Sequence, residues 1–260
     1  MTAPIAAAKI LPLSFGGGDA VVSGAASGIG AAIARTLMSA GVRTVRLDVR
    51  TPDLDPDYPA ELQICVGADV RDEGLAARLA GAGIEVDAIS YVVNCAGVLD
   101  DTGFTGVDRQ AWLRCLEVNL VGAYNVIDSL APSLRRAPAA AIVNITSIEA
   151  ARVVALSNPD PTPQYAASKA GLRMLTQTAA RALAGDGVRV NSVSPGFVAT
   201  PMAAVHGDTA TLPPALAPRV PAGRFAAPAD VANVVAFLLS DQAAYITGAD
   251  LRVDGGFGLT

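Results

Sequence analysis

The chain has 260 residues, of which 52% are hydrophobic and 17% charged, with a formal net charge of −5. That acidic balance, with no basic cluster to offset it, speaks against nucleic acid as a partner. No apolar run reaches the roughly 20 residues needed to cross a bilayer, so no membrane association is expected.

Met1 to Gly18 is broken by Pro4 and Pro12 and ends in three glycines. It lacks the long apolar stretch of a secretory signal. It reads as a loosely ordered N-terminal arm, residues 1–18, before one dinucleotide-binding and catalytic domain over residues 19–260 of a cytoplasmic protein. Cys65, Cys95 and Cys115 form no CxxC pair and read as small buried hydrophobes in a reducing compartment.

Beyond the arm, β-branched apolar runs predict strands at Ala20–Ser23, Thr44–Leu47, Gln63–Val66, Ala88–Val93, Ala141–Thr146, Val188–Val193 and Asp250–Val253. Helical periodicity predicts helices at Gly30–Ala40, Asp72–Gly81, Arg109–Leu130, Tyr165–Ala184 and Ala229–Leu239. This alternation points to an α/β chain with a Rossmann-type doubly wound parallel β-sheet flanked by helices on both faces. Two Pro-rich segments break the rhythm, 157–163 and 200–221. Their placement near strand ends suits substrate-binding loops, the second a lid.

The first strand runs into Gly24-Ala25-Ala26-Ser27-Gly28-Ile29-Gly30. Gly24 permits a sharp turn, Gly28 a close backbone approach to a pyrophosphate, and Gly30 close helix packing. The helix N-terminus then presents N–H groups to the anion, with Ser27 and Ile29 beside it. The spacing is GxxxGxG, and a plain tight turn is the alternative. Asp48 closes the next strand 18 residues beyond Gly30. A carboxylate there accepts bonds from the adenosine ribose hydroxyls and repels a 2′-phosphate, so the cofactor expected is NAD. A turn-capping Asp is the plainer reading, and Arg46 and Arg50 keep NADP open.

Tyr165 and Lys169 are four apart at the start of a helix and so share one face. A phenol is a poor acid–base catalyst near neutral pH, and a neighbouring ammonium should lower its pKa. Tyr165 would then take or return the substrate hydroxyl proton, while Ser147, at a strand end, holds the substrate oxygen.

These motifs in this order resemble the short-chain dehydrogenase/reductase family from Asp19 to Gly256. Gly24-x-x-x-Gly28-x-Gly30 matches its glycine turn and Asn94-Cys95-Ala96-Gly97 its NNAG, with Cys95 as a departure. Asn119, Ser147, Tyr165-x-x-x-Lys169 and Asn191-Ser192-Val193-Ser194-Pro195-Gly196 match its remaining motifs. The resemblance implies that Lys169 also binds the nicotinamide ribose and that Asn119 holds a water in a proton relay. It implies that Asp69 and Val70 line the adenine site, that Asn94, Ala96 and Gly97 flank the cofactor, and that Pro195, Gly196, Val198 and Thr200 meet the nicotinamide. It also implies a homotetramer. Ser147 and Tyr165 are 18 apart, longer than the family's usual spacing, and if Thr146 faced the site instead, the oxygen-binding role would move by one residue.

Ile148, Val153, Val154, Leu156, Met202, Val205 and Leu212 would shape an apolar substrate pocket. The expected activity is NAD-dependent interconversion of a secondary alcohol and a ketone in an apolar cyclic, terpenoid or steroid-like compound. An NADPH-preferring ketone reductase and a catalytically silent NAD-binding sensor are the alternatives. The single histidine, His206, and the lack of a cysteine cluster leave a zinc mechanism without ligands, so no metal is expected. A GxSxG hydrolase elbow is also missing.

Overall fold

A computed structural model describes residues 12–100, 103–154, 162–204 and 207–260. Seven parallel strands form one sheet in the order β3-β2-β1-β4-β5-β6-β7. They are β1 Asp19–Ser23, β2 Thr44–Asp48, β3 Gln63–Gly67, β4 Ile89–Asn94, β5 Ala140–Ile145, β6 Val188–Pro195 and β7 Asp250–Val253. The helices are α1 Gly28–Ser39, α2 Leu75–Gly81, α3 Arg109–Leu116, α4 Gly122–Leu134, α5 Pro163–Leu183, α6 Pro201–Ala204 and α7 Pro228–Leu239.

Successive strand residues point to opposite faces, and each face has its own core. Ala20 and Val22 pack with Ile33 and Leu37 of α1 and Val231 and Val235 of α7. Val21, Val45 and Val92 pack on the other face with Leu79 of α2, Val126 and Leu130 of α4, and Leu183 of α5. With both faces covered, the strands carry almost continuous apolar runs, as a parallel sheet requires. Strand order reverses between β1 and β4, so the loops after their C-terminal ends part there and leave a crevice.

Most boundaries fall within one or two residues of the sequence expectation, and three differences have physical causes. The segment expected as one helix over Arg109–Leu130 contains a π-type turn at Glu117–Val121 and continues to Leu134. The helix expected from Asp72 starts only at Leu75, because Gly74 has φ +78°, outside right-handed helical space. The N-terminal arm is also less loose than expected over residues 12–18. Gly17 N donates to Tyr91 Oη (2.7 Å), Gly18 N to Ser90 Oγ (2.7 Å) and Ser14 N to Gln242 Oε1 (3.1 Å).

Candidate active site

The glycine turn carries the chain from β1 into α1 across the crevice. Gly24 has φ +70° and Gly28 φ +56°, both in the region L side chains avoid. A Cβ on Gly24 would fall 2.7 Å from Ala96 N. A Cβ on Gly30 would fall 2.2 Å from the Gly24 carbonyl oxygen, so Gly30 closes the turn on itself rather than seating the helix on the sheet. Ser27, the N-cap, is extended and makes no side-chain cap bond. The first N–H groups of α1, beside Ile29, are left for an anion in the cleft. The Ser23 hydroxyl accepts bonds from Cys95 N (3.1 Å) and Ala96 N (3.3 Å), joining the ends of β1 and β4.

Asp48 reaches back across the crevice from the end of β2. Its Oδ2 accepts from Ala26 N and its Oδ1 from Arg50 N, both at 3.1 Å. The carboxylate is thus braced by two backbone N–H groups at the rim of the cleft. Asp69 lines the same end, and its ion pair with Arg71 at 2.7 Å holds its carboxyl below the usual carboxylate range. Val70 beside it packs so closely on α4 that a Cβ on Gly122 would lie 2.5 Å from Val70 Cγ2.

The other end of the cleft is built on β5 and α5. The Thr146 hydroxyl is turned into the sheet, donating to Val193 O (2.9 Å) and sharing a bond with Ser194 Oγ (2.8 Å). Ser147 therefore takes the opposite face and lines the cleft, its Oγ accepting from Glu149 N at 3.2 Å. Pro163 opens α5 at a position where its missing N–H costs nothing, and Tyr165 follows in the first turn. Lys169 lies one turn on, buried, donating from Nζ to Ile145 O at 2.8 Å. Nζ is 5.6 Å from the centroid of the Tyr165 ring. Gly97 leaves room here, since a Cβ there would lie 3.5 Å from Lys169 Nζ.

Burial dominates the electrostatics. The Tyr165 phenol is pushed well above its ordinary range, first by burial and then by the Glu149 carboxylate, while a hydrogen bond with Ser147 pulls the other way. Burial brings Lys169 down to about 8 and drives the Cys95 thiol up to about 12, so Cys95 is no thiolate. Against the sequence expectation that Lys169 lowers the Tyr165 pKa, burial and the Glu149 carboxylate set the net direction at Tyr165 upward.

A cavity of about 920 Å³ runs between these two ends. Its wall includes Gly24, Ser27, Gly28, Ile29, Gly30, Asp48, Asp69, Val70, Ala96, Gly97, Ser147, Tyr165 and Lys169. Pro195, Gly196, Val198 and Thr200 line it from the end of β6, with Thr200 Cγ2 facing Gly28. Ile148, Val154 and Met202 line the substrate end. Two expected site residues lie behind this wall. Asn94 is buried beneath it, donating to Asn144 Oδ1 at 2.8 Å. Asn119, in the π-type turn, accepts from Val98 N (2.8 Å) and donates to Val98 O and Ser168 Oγ (both 3.0 Å). Both its amide hydrogens are engaged, so its side chain braces the strand-to-helix loop.

Of the remaining pocket residues, Val153 is 71% exposed and does not line the cavity. Leu212 packs against the cluster of Ile148, Val154, Leu216 and Phe257 without lining the cavity itself. Leu156, Val205 and His206 lie outside the described residues. Sequence reasoning missed Glu149, Phe197 and Leu216, all in the cavity wall. Glu149 sits in the short 3-10 turn that follows Ser147, and no spacing in the sequence marks it. Among the described residues no His/Cys/Asp/Glu group is suited to a metal, and no helix is long and apolar enough to cross a membrane.

Residues 24–258 match the family model described as enoyl-(acyl carrier protein) reductase. The chain is 38% identical to cis-4-hydroxycyclohexanecarboxylate dehydrogenase of Sinomonas cyclohexanicum, over 92% of this chain and 95% of that one. It is 34% identical to 3-oxoacyl-(acyl-carrier-protein) reductase of Staphylococcus epidermidis, over 92% and 98% respectively. A solved structure from Agrobacterium tumefaciens with bound NADP superposes with a TM-score of 0.82 at 30% identity, covering 96% of this chain and 99% of that one.

Proposed function

The chain belongs to the short-chain dehydrogenase/reductase family and is an oxidoreductase of hydroxyl and keto groups; within that class, we propose that it interconverts a secondary alcohol and a ketone of an apolar cyclic compound, terpenoid or steroid-like, with NAD. The observation that carries this reading is the continuous cleft joining Asp48 and the bare glycine turn to Ser147, Tyr165 and Lys169.

The residues present fit a dinucleotide. The missing Cβ at Gly28 and the unpaired N–H groups of α1 suit a pyrophosphate, and the braced Asp48 carboxylate suits a ribose diol and opposes a 2′-phosphate. A bound nicotinamide supplies the acceptor or donor of hydride. Ser147 holds the substrate oxygen, and Tyr165 takes the hydroxyl proton in oxidation or returns it in reduction. The phenolate is the form that takes the proton and the phenol the form that returns it, and Lys169, one helical turn away, sets a positive charge beside that anion. Asn94 and Asn119 support the cleft from behind, and Asn119 holds a water that links Lys169 to solvent.

Ile148, Val154 and Met202 favour an apolar ring. The segment 200–221 serves as the lid, with Met202, Pro213 and Leu216 in the cavity wall. The protein works in the cytoplasm, in keeping with three unpaired thiols. It assembles as a homotetramer, in keeping with exposed Val121, Tyr124 and Met174 on the long helices and Leu259 at the C-terminus. An NADPH-dependent reaction is the second reading, favoured by Arg50 and Arg71 in the cleft wall.

An absorbance screen of NAD(H)-linked turnover over cyclic and linear secondary alcohols and their ketones tests this. The expected result is NADH formation from apolar cyclic alcohols, faster than NADPH formation. NAD binding without turnover of any alcohol overturns the enzyme reading in favour of a sensor. Faster turnover with NADP overturns the argument from Asp48.

A further inference from the structure

The apolar wall at the substrate end of the cleft is backed by a second layer of side chains. Ile148, Val154, Phe197 and Leu216 line the cavity. The Phe257 ring, 1% exposed, does not line it but packs in one cluster with these four residues. Its ring meets that of Phe197 edge to face, with centroids 5.2 Å apart and planes at 68°. The Arg219 guanidinium lies over the Phe257 ring, 4.4 Å from its centroid.

The turn that carries Phe257 is fixed to the end of the 200–221 segment. Gly255 (φ +61°) and Gly256 (φ +87°) bring the chain round after β7. A Cβ on Gly255 would lie 3.0 Å from Val220 Cγ1, and one on Gly256 3.0 Å from Pro221 Cγ. Ala222 N donates to Gly255 O at 2.9 Å. Asp254 accepts from Gly256 N (3.0 Å) and Gly258 N (2.9 Å). The ring is thus held in place, and a close-packed interior passes its position on to the wall in front of it. Trimming such a ring leaves a space that its neighbours fill only in part. Phe197 and Leu216 stand between that space and the substrate.

Resting on the alcohol dehydrogenase reading above, we propose that Phe257 is a positioning residue that sets the size limit of the alcohol the cleft accepts, by holding Phe197 and Leu216 forward against the substrate. Phe257 itself touches neither substrate nor cofactor. A smaller side chain at this position lets the wall retreat and deepens the pocket, while the cofactor end of the cleft stays as it is.

The test measures kcat/KM with NAD for cyclohexanol and for 4-cyclohexylcyclohexanol on full-length wild type, Phe257→Leu and Phe257→Ala. Melting temperature and NAD affinity are taken on the same preparations. The ratio of the bulky to the small alcohol should rise by roughly three- to tenfold in Phe257→Leu and further in Phe257→Ala. NAD affinity should stay within about twofold of wild type. A purely structural role would lower the melting temperature and both rates together and leave the ratio alone. Phe257→Leu keeps a branched apolar side chain, so it carries the test if Phe257→Ala does not fold. An unchanged ratio in folded Phe257→Leu, or a fall in NAD affinity alongside the rates, overturns the inference and leaves the dehydrogenase reading intact. Turnover of neither alcohol by wild type overturns both.

Discussion

Lys169 Nζ lies 5.6 Å from the centre of the Tyr165 ring and gives its hydrogen bond to the carbonyl of Ile145 at 2.8 Å. The ammonium is therefore anchored to the end of β5, one residue before Thr146 and two before Ser147. This ties the cation, the substrate-binding serine and the phenol to one strand end and one helical turn. The anchoring also puts the amine among buried atoms, which has a measurable consequence.

Burial lowers Lys169 to about 8 from an ordinary 10.5. The protonated form is disfavoured in the folded state, so the fold bears the full cost below about pH 8 and sheds it as pH rises toward 10.5. Lys169→Met removes a burden of about 3 kcal/mol near neutral pH, set by the size of that shift. Denaturant unfolding of the variant and of wild type between neutral and alkaline pH should show the variant more stable near neutrality. The gap should narrow through the window from 8 to 10.5, and a gap independent of pH contradicts the buried-ammonium account.

Thr146 and Ser147 are adjacent but face opposite ways. Thr146→Val removes a hydroxyl bonded to Val193 O and Ser194 Oγ, so it should cost about 1–3 kcal/mol of stability with activity largely kept. Ser147→Ala should leave the melting temperature nearly unchanged and lower kcat by roughly a hundredfold. Paired melting curves and initial rates check this, and the reverse pattern would move the oxygen-binding role to Thr146.

Asp48 stands at the rim where a ribose would sit, between Ala26 N and Arg50 N. Asp48→Ala removes both the acceptor for ribose hydroxyls and the charge opposed to a 2′-phosphate. The ratio of kcat/KM for NAD over NADP should fall by on the order of tenfold or more. An unchanged ratio would leave Asp48 as a turn residue only.

Gly24→Ala forces a side chain into φ +70° and sets its Cβ 2.7 Å from Ala96 N. The conformation alone costs roughly 1–2 kcal/mol, and the contact displaces the loop that flanks the cleft. Thermal unfolding should show a lower midpoint and titration with NAD a weaker Kd. Unchanged NAD affinity would separate the turn from cofactor binding.

Much of the fold was legible because its physics is local. Strands buried on both faces read as runs such as Ala20–Ser23, and helices as apolar stripes such as Ala229–Leu239. The cleft was legible through Gly24, Gly28, Asp48, Ser147, Tyr165 and Lys169, which the strand-to-helix turns place at the same sheet end. What the sequence concealed depends on non-local contacts. The π-type turn around Asn119 goes with side-chain bonds to Val98 and Ser168, and helical periodicity reads straight through it. Asn94 lies behind the cleft because Asn144 on β5 engages it. The upward displacement of Tyr165 comes from burial, which no spacing between Tyr and Lys encodes. Glu149 escaped notice because its proximity to the site depends on its bond to Ser147 and on Thr162 across the loop.

The central claim is that the Tyr165 hydroxyl carries the proton of an alcohol oxidised in this cleft. Its most direct test measures NADH formation from a cyclic secondary alcohol by wild type and Tyr165→Phe, with the NAD affinity of each determined on the same preparations. The account predicts a loss of roughly 100–10,000-fold in kcat for the phenylalanine variant, with NAD affinity unchanged. Turnover within a few-fold of wild type would contradict it.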